Sequence, residues 1–247
     1  MIKILVNGCN GKMGQEVIKQ MDQYEDLILL GGYDKENTGV FSFPVYTKIS
    51  EITEKPDVII DFSIPIATLN ILNYAKENNI PVVIATTGFT EEQEDIISEY
   101  SKYIPIFKSA NMSFDIHLMT KVLKMIAKEL KGTDIEICET HHNRKIDSPS
   151  GTALLLANSI NKSLDNSLNY EFDRHRKREK RSKSEIGFSS IRGGNIVGEH
   201  TVYFFGQNET FEISHKAYSR SIFADGAIKA AKFLIKQNAG MYSMEDL

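Results

Sequence analysis

Ile2-Lys3-Ile4-Leu5-Val6-Asn7-Gly8-Cys9-Asn10-Gly11-Lys12-Met13-Gly14 is the stretch on which the fold turns. An apolar run of strand length meets a glycine-rich turn, and an amphipathic helical pattern over residues 13–21 begins inside that turn. Strand, tight loop and helix in this order open a dinucleotide-binding βαβ unit. The spacing is G-x-x-G-x-x-G. Asn10 stands where the G-x-G-x-x-G fingerprint has its second glycine, while Gly8 keeps the tight turn and Gly14 the close helix packing. Backbone N–H groups and the positive end of the helix would there face a pyrophosphate. Asp34 follows the next apolar run, residues 27–30, at about the 20-residue offset where a carboxylate accepts from the adenosine ribose hydroxyls. Lys35 beside it would neutralise a 2′-phosphate that Asp34 repels, so NADH and NADPH both remain open as cofactor.

Working outward, short apolar runs at residues 58–60, 82–84 and 104–107 alternate with amphipathic stretches at 67–76 and 91–100, the rhythm of a parallel sheet with crossover helices. Asp61-Phe62-Ser63, Ala85-Thr86-Thr87-Gly88 and Ser109-Ala110-Asn111-Met112 follow these runs, at the carboxyl edge where such sheets bind ligands. Near Asn111 the pattern changes. A long helical stretch, residues 113–130, ends at Lys131-Gly132, and Asp134-Ile135-Glu136-Ile137-Cys138 then alternates with period two, which predicts a sheet with one wet face. Further helices are predicted at 152–163 and 222–236, and a hairpin joins 200–205 to 210–214 through Gly206-Gln207-Asn208-Glu209. The last helix presents Ile222, Phe223, Ala227, Ala230, Ala231 and Leu234 for packing back on the first domain. The fold class is therefore α/β: a Rossmann-like doubly wound domain from residues 1–111 and 221–247, and an α+β domain with an open mixed sheet from residues 112–220.

Composition narrows the partners. The 247 residues carry 41% hydrophobic and 25% charged side chains, which excludes disordered, collagenous and disulfide-scaffold classes. Lys+Arg of 29 against Asp+Glu of 33 leaves a formal charge of -4, so no global field draws the chain to nucleic acid or an anionic membrane. Two cysteines, Cys9 and Cys138, without metal-like spacing, fit a reducing compartment and no metal site. No apolar run approaches the roughly 18 residues of a membrane span, and the first run reads as a strand, not a signal peptide; a cytoplasmic location is expected.

The densest chemistry is Glu139-Thr140-His141-His142-Asn143-Arg144-Lys145-Ile146-Asp147-Ser148-Pro149-Ser150-Gly151-Thr152. Two histidines, an arginine and a lysine fall within five positions, between an alternating strand and a helix start, a place suited to an anionic substrate. Strand parity puts Ile135, Ile137, Glu139 and His141 on one face and His142 on the other. Ser150-Gly151-Thr152 opens the following helix, so its N–H groups and hydroxyls suit a carboxylate with Lys145 as charge partner. The plain alternative is a basic loop before a helix cap, with a structural role for His142.

Taken with the Gly8 to Gly14 loop, Asp61-Phe62-Ser63, Thr86-Thr87-Gly88-Phe89 and Arg192-Gly193-Gly194-x-x-Val197-Gly198-Glu199-His200, the run His141-His142-x-x-Lys145-x-Asp147-x-Pro149-Ser150-Gly151-Thr152-Ala153 resembles the 4-hydroxy-tetrahydrodipicolinate reductase family, long called dihydrodipicolinate reductase. The resemblance covers nearly the whole chain. It implies a homotetramer built by the central domain and a step of diaminopimelate and lysine synthesis. It implies His141 as proton donor or acceptor, Lys145 as proton donor, and His142, Gly151 and Thr152 as contacts of a small cyclic dicarboxylate, to which Ser150 is added from the helix-start reading above. For the cofactor it implies Gly8, Cys9, Asn10, Gly11, Lys12, Met13, Asp34, Ala85, Thr86, Thr87, Ser109, Ala110, Asn111 and Met112, to which Lys35 is added from the sequence reading above. Ser148 departs from the alanine usual in the family, a small change. The basic stretch Arg174-His175-Arg176-Lys177-Arg178-Glu179-Lys180-Arg181-Ser182-Lys183 reads as a solvated loop, with substrate attraction as the alternative; no aromatic residues interleave it as RNA binding would need. Two other functions compete. An amino-acid dehydrogenase would leave the His-His-x-x-Lys to Ser-Gly-Thr run unexplained, and a dinucleotide sensor would keep its function in His141→Ala.

Overall fold

Successive apolar residues in the first strand leave no wet side, and the computed structural model, which describes residues 1–247, buries them on both faces of one sheet. Ile4 and Val6 of β1 (Ile2–Asn7) enter one core layer and Leu5 the opposite one. The chain divides into two units, Met1–Ser113 with Arg220–Leu247, and Phe114–Ser219.

In the first unit β1 is followed by α1 (Lys12–Met21), β2 (Leu27–Tyr33), β3 (Val45–Tyr46), β4 (Val58–Asp61), α2 (Pro65–Asn78), β5 (Val82–Ile84), α3 (Glu91–Ser101) and β6 (Pro105–Lys108). The chain returns to it in α6 (Ser221–Leu234) and β12 (Gly240–Tyr242). The strands form a seven-stranded sheet in the order β12-β6-β5-β4-β1-β2-β3, parallel at every pairing. Strand order reverses at β1 and β4, the switch point at which doubly wound sheets open a ligand crevice. Helix α6 packs its alanines, with Ile228 and Leu234, into the layer shared with Val6, Ile60 and Val17. Each such buried aliphatic side chain contributes about 1.5–3 kcal/mol.

The second unit holds α4 (Phe114–Glu129), β7 (Asp134–His141), α5 (Gly151–Ser163), β8 (Asn169–Glu171), β9 (Glu185–Arg192), β10 (Gly198–Phe205) and β11 (Thr210–Ala217). Its sheet runs β11-β10-β7-β9-β8 and is mixed, with β7, β8 and β9 mutually parallel and the β10–β11 hairpin antiparallel. The alternation of β7 is real: Ile135, Ile137, Glu139 and His141 are buried, and the residues between them are partly exposed. Ile135 and Ile137 join a core with Leu123 of α4 and Leu156 of α5.

Several elements differ from expectation for identifiable reasons. Helix α2 starts at Pro65, because proline lacks only an N–H that the first turn leaves unbonded anyway. It ends at Asn78, before Asn79 in the left-handed conformation (φ 52°). Strand β9, unread in the sequence, lies between β7 and β8; its Gly187-Phe188-Ser189-Ser190 centre offers no apolar alternation, and its pairing is set by strands distant in sequence. The basic stretch is not a solvated loop throughout. Arg181 donates to the carboxylates of Asp134 and Glu136 and to the carbonyls of Ile135 and Glu185, at 2.8–3.1 Å, and Arg174 pairs with Glu185. Glu136 and Asp134 alternate toward the wet face, so these arginines neutralise acids that the strand pattern displays.

Candidate active site

The parallel register of the first sheet assembles one half of the chemistry. Asn7 of β1 pairs with Tyr33 of β2 and Asp61 of β4, and Asp61 with Ile84 of β5. The next residues, Asp34, Gly8, Phe62 and Ala85, therefore lie in a row along the carboxyl edge. Gly8 turns the chain at φ 80°, and a β carbon there would stand 2.6 Å from the Phe62 carbonyl oxygen. Helix α1 then begins just after Gly11, its cap residue, with no side chain capping its N–H groups. Asp34 is fixed to the loop: it accepts from the Asn10 N–H at 2.9 Å and from its neighbour Lys35 N–H at 2.8 Å. Asn10 donates to the Glu36 carbonyl, while its own Oδ1 is buried without a partner. A cavity of about 610 Å³ opens here, lined by Gly8, Asn10, Gly11, Asp34 and Lys35 together with Asn7, Tyr33, Phe62, Ser63, Ile64, Ile66 and Asn70 among others. An uncapped helix end, a glycine cradle, an acid and an unpartnered amide oxygen around one cavity suit a dinucleotide.

Other expected cofactor residues take different places. Cys9 is fully buried, and burial pushes its thiol up to about 11, so only its backbone faces the loop. Lys12 lines a separate depression with Gln15, Glu16 and Phe41, and Met112 is buried in the core. Thr86 is also buried, donating to Asp61 at 2.9 Å and accepting from the Ser63 N–H, whereas Thr87 and Ala110 are exposed. Ser109 donates to the Asn111 carbonyl oxygen and closes its own turn. Asp61 itself is the hub of this edge. It is fully buried and accepts from Asn7, Thr68, Thr86 and both the N–H and hydroxyl of Ser63, at 2.5–3.2 Å. Tyr33, Ile64, Ile66 and Asn70 left no trace in the sequence, since only the strand order brings them to the loop.

The second half is built by the register of the other sheet. Glu139 of β7 pairs with Ser190 of β9 and His200 of β10, and His141 pairs with Arg192. All share the inner face. The His141 Nδ1 lies 2.5 Å from Glu139 Oε2, and its ring meets that of His200 edge-on at 5.1 Å. Arg192 grips both oxygens of Glu139, at 2.7 and 2.8 Å, and the Ser150 N–H reaches the same carboxylate at 3.2 Å. Burial pushes the Glu139 carboxyl up, but its bonds to His141, Arg192 and Ser190 outweigh that and hold it well below the usual carboxylate range. The Ser150 hydroxyl caps α5 by accepting from the Ala153 N–H, and it also lies 2.8 Å from His200 Nε2.

A carboxylate already sits where the sequence suggested one. The Asp147 carboxylate lies 2.9 Å from the Lys145 ammonium, four residues before α5 begins at Gly151. Burial pushes it up, and Lys145, helped by the backbone N–H dipoles of Asp147 and Gly151, brings it below its ordinary value. Lys145 and His141 are both near enough to disfavour a charge on His200. The backbone of His142 is fixed, its N–H donating to the Ile196 carbonyl and its carbonyl accepting from the Lys145 N–H. His141, Lys145, Ser150 and Gly151 are thus brought together, and Thr152 follows in the first turn of α5. Sequence reasoning missed Arg192 as the partner of Glu139, and His200 as a neighbour of His141. No group of three or more His, Cys, Asp or Glu side chains is arranged to hold a metal ion, and no helix is long and apolar enough to cross a membrane.

Burial holds His200 neutral down to about pH 3, with the charge of His141 acting in the same direction. Between that value and the ordinary histidine range near 6.5 the unfolded chain binds a proton that the folded chain refuses. Stability then rises with pH and falls on acidification, by at most about 1.4 kcal/mol per pH unit from this group. Urea unfolding at pH 7 and pH 4.5 measures it: the native chain loses more stability on acidification than His200→Gln, and equal losses would contradict the assignment.

Residues 2–112 match the family described as dihydrodipicolinate reductase, N-terminus, and residues 115–247 the family described as dihydrodipicolinate reductase, C-terminus. The chain is 50% identical over 247 residues to a 4-hydroxy-tetrahydrodipicolinate reductase of Caldanaerobacter subterraneus subsp. tengcongensis, covering 100% of this chain and 98% of that one. It is 45% identical over 248 residues to the enzyme of the same description from Clostridium novyi, again covering 100% and 98%. Among solved structures, a dipicolinate-bound dihydrodipicolinate reductase from Paenisporosarcina sp. TG-14 matches with a TM-score of 0.82 at 25% identity, over 100% of this chain and 99% of that one.

Proposed function

The chain belongs to the 4-hydroxy-tetrahydrodipicolinate reductase family, and from that premise we propose how its residues divide the work of an NAD(P)H-dependent reduction. The reaction converts 4-hydroxy-tetrahydrodipicolinate, NAD(P)H and a proton into tetrahydrodipicolinate, NAD(P)+ and water, a step of diaminopimelate and lysine synthesis. The bound nicotinamide cofactor supplies the hydride. Gly8, Asn10, Gly11 and the start of α1 hold its pyrophosphate, and Asp34 accepts from its ribose. Both Asp34 oxygens are anchored to backbone N–H groups and the carboxylate stays in place, while Lys35 has no anionic partner. This combination supports use of both nucleotides, Asp34 serving NADH and Lys35 the 2′-phosphate of NADPH.

The observation that carries the substrate site is the Asp147 carboxylate, paired with the Lys145 ammonium at 2.9 Å just before the start of α5. A carboxylate of the cyclic substrate takes that place, with Thr152 and His142 as further contacts. Lys145 neutralises it and donates a proton as reduction leaves negative charge on the conjugated ring system. His141, kept by Glu139 with its Nδ1 protonated, exchanges a proton through Nε2. The wet face of the second sheet, where Tyr203 and Phe205 stack and Ile191 is half exposed, supports assembly into a homotetramer through that domain. The two thiols are unpaired, in keeping with a cytoplasmic enzyme.

The test follows absorbance at 340 nm with NADH and NADPH in parallel, the substrate being formed in place from pyruvate and aspartate semialdehyde by the preceding synthase. Oxidation that requires the complete mixture and proceeds with both nucleotides is the expected result. A rate with one nucleotide alone would overturn the shared role of Asp34 and Lys35.

A further inference from the structure

Glu139 is the most heavily coordinated carboxylate in the second unit. Its carboxylate is fully buried, yet it receives groups from two strands and a helix end: His141 Nδ1 on its own strand, the Arg192 guanidinium from β9, and the Ser150 N–H at the start of α5. With Arg192 bonded to both oxygens, the carboxylate is an acceptor at each, and the hydrogen between it and His141 belongs to the ring. The ring is thereby held in one orientation, with Nε2 left for exchange next to Gly198, where a β carbon would come within 3.0 Å of it.

A lone buried carboxylate against an imidazole favours the imidazolium and opposes release of its proton, whereas a guanidinium clasping that carboxylate cancels most of its charge. We propose that Glu139 and Arg192 act as a balanced positioning pair, Glu139 fixing the tautomer of His141 and Arg192 setting how readily His141 gives up its proton. The proposal rests on the reading of His141 as a proton-exchanging group. The other charged and titratable groups around the ring are His200 on β10, which burial keeps neutral, His215 on β11, itself lowered by burial, and Lys145 with its partner Asp147 on the loop after β7. Glu139 also acts on His200, and Arg192 also donates to the Asp147 carbonyl at 2.7 Å, but only the pair's own charges have opposite signs at His141, so its signature is opposite shifts from its two members.

Titration of the imidazole Cε1–H by nuclear magnetic resonance, with the His141 signal identified by its loss in His141→Gln, reads this signature without turnover. Glu139→Gln, which leaves Arg192 uncompensated, is expected to lower the His141 midpoint by about 1–2 pH units, and Arg192→Gln, which leaves Glu139 uncompensated, to raise it by about as much. Glu139→Gln/Arg192→Gln removes both charges together, avoids a lone buried ion, and returns the midpoint to within about half a unit of the native one. Arg192→Lys keeps the charge and gives a smaller rise than Arg192→Gln. The pH dependence of kcat/KM is expected to move with the midpoints. Shifts of one sign in both single variants, or none in any, overturn the proposal. Opposed shifts in the resonance titration with an unmoved kcat/KM profile uphold the pair and instead remove His141 from proton exchange.

Discussion

His141→Ala lowers kcat by about 10²- to 10⁴-fold, the usual contribution of a positioned acid or base, while the dissociation constant for NADH, read from nucleotide fluorescence, stays within about threefold of the native value. The separation follows from where the groups lie. His141 is an inner-face residue of β7 in the second unit, and the cavity built by Gly8, Asn10 and Asp34 belongs entirely to the first. Truncation leaves Glu139 its bidentate partner Arg192, so no unpaired ion is created and the loss reports on chemistry more than on folding. Lys145→Ala loses kcat as well, and it also raises KM, because its ammonium is the cation facing the carboxylate position now occupied by Asp147. Since both act on charge developing in the same ring, the double variant falls by less than the product of the single losses. Normal turnover in either variant would remove that residue from the proposed chemistry, and loss of nucleotide binding in His141→Ala would mean the two halves are not separable.

Much of this arrangement was legible because local rules agree with the global fold. The glycines of the first loop, the apolar run before it and Asp34 after β2 form one consistent pattern, since strand, turn and helix each have a periodicity of their own. The alternation at Asp134 to Cys138, carried on by parity, placed Glu139 and His141 on the same buried face. What stayed hidden depends on register between strands far apart in sequence. Arg192 reaches Glu139 across 53 positions, because β9 pairs in parallel with β7. Asp61 gathers Asn7, Thr68 and Thr86 because three parallel strands end level with one another. Side-chain direction was not legible either: Cys9, Lys12 and Met112 fall in positions that the resemblance gives to the cofactor, and their side chains turn into the core or onto the outer side of α1. The arginines of the basic stretch read as solvated because the acids they bind lie on another strand.

The loop makes the second large prediction. Gly14→Ala weakens NADH binding by about 100-fold, equivalent to about 2.7 kcal/mol, and lowers folding stability by about 1–3 kcal/mol through overpacking. A β carbon at Gly14 would lie 2.2 Å from the Gly8 carbonyl oxygen and 2.9 Å from the Cys9 Cα, both backbone atoms that no rotamer change relieves. Helix α1 must then move off the strand, or the Gly8 turn must open toward Phe62, whose carbonyl already closes the space beside Gly8. Either movement shifts the uncapped helix end away from Asp34, which is tied through the Asn10 N–H to the loop. The pyrophosphate donors and the ribose acceptor would no longer fit one nucleotide. Gly132→Ala separates this from a general glycine effect. Gly132 sits at φ 95° with nothing within 4 Å of a β carbon, so alanine there adds backbone strain without a clash, outside the nucleotide cavity. Its expected signature is a loss of thermal stability with NADH affinity intact. Fluorescence titration of both variants decides the matter, and a Gly14→Ala chain binding NADH within threefold of the native protein would show that the close approach of α1 to the Gly8 turn is not what shapes the cofactor site.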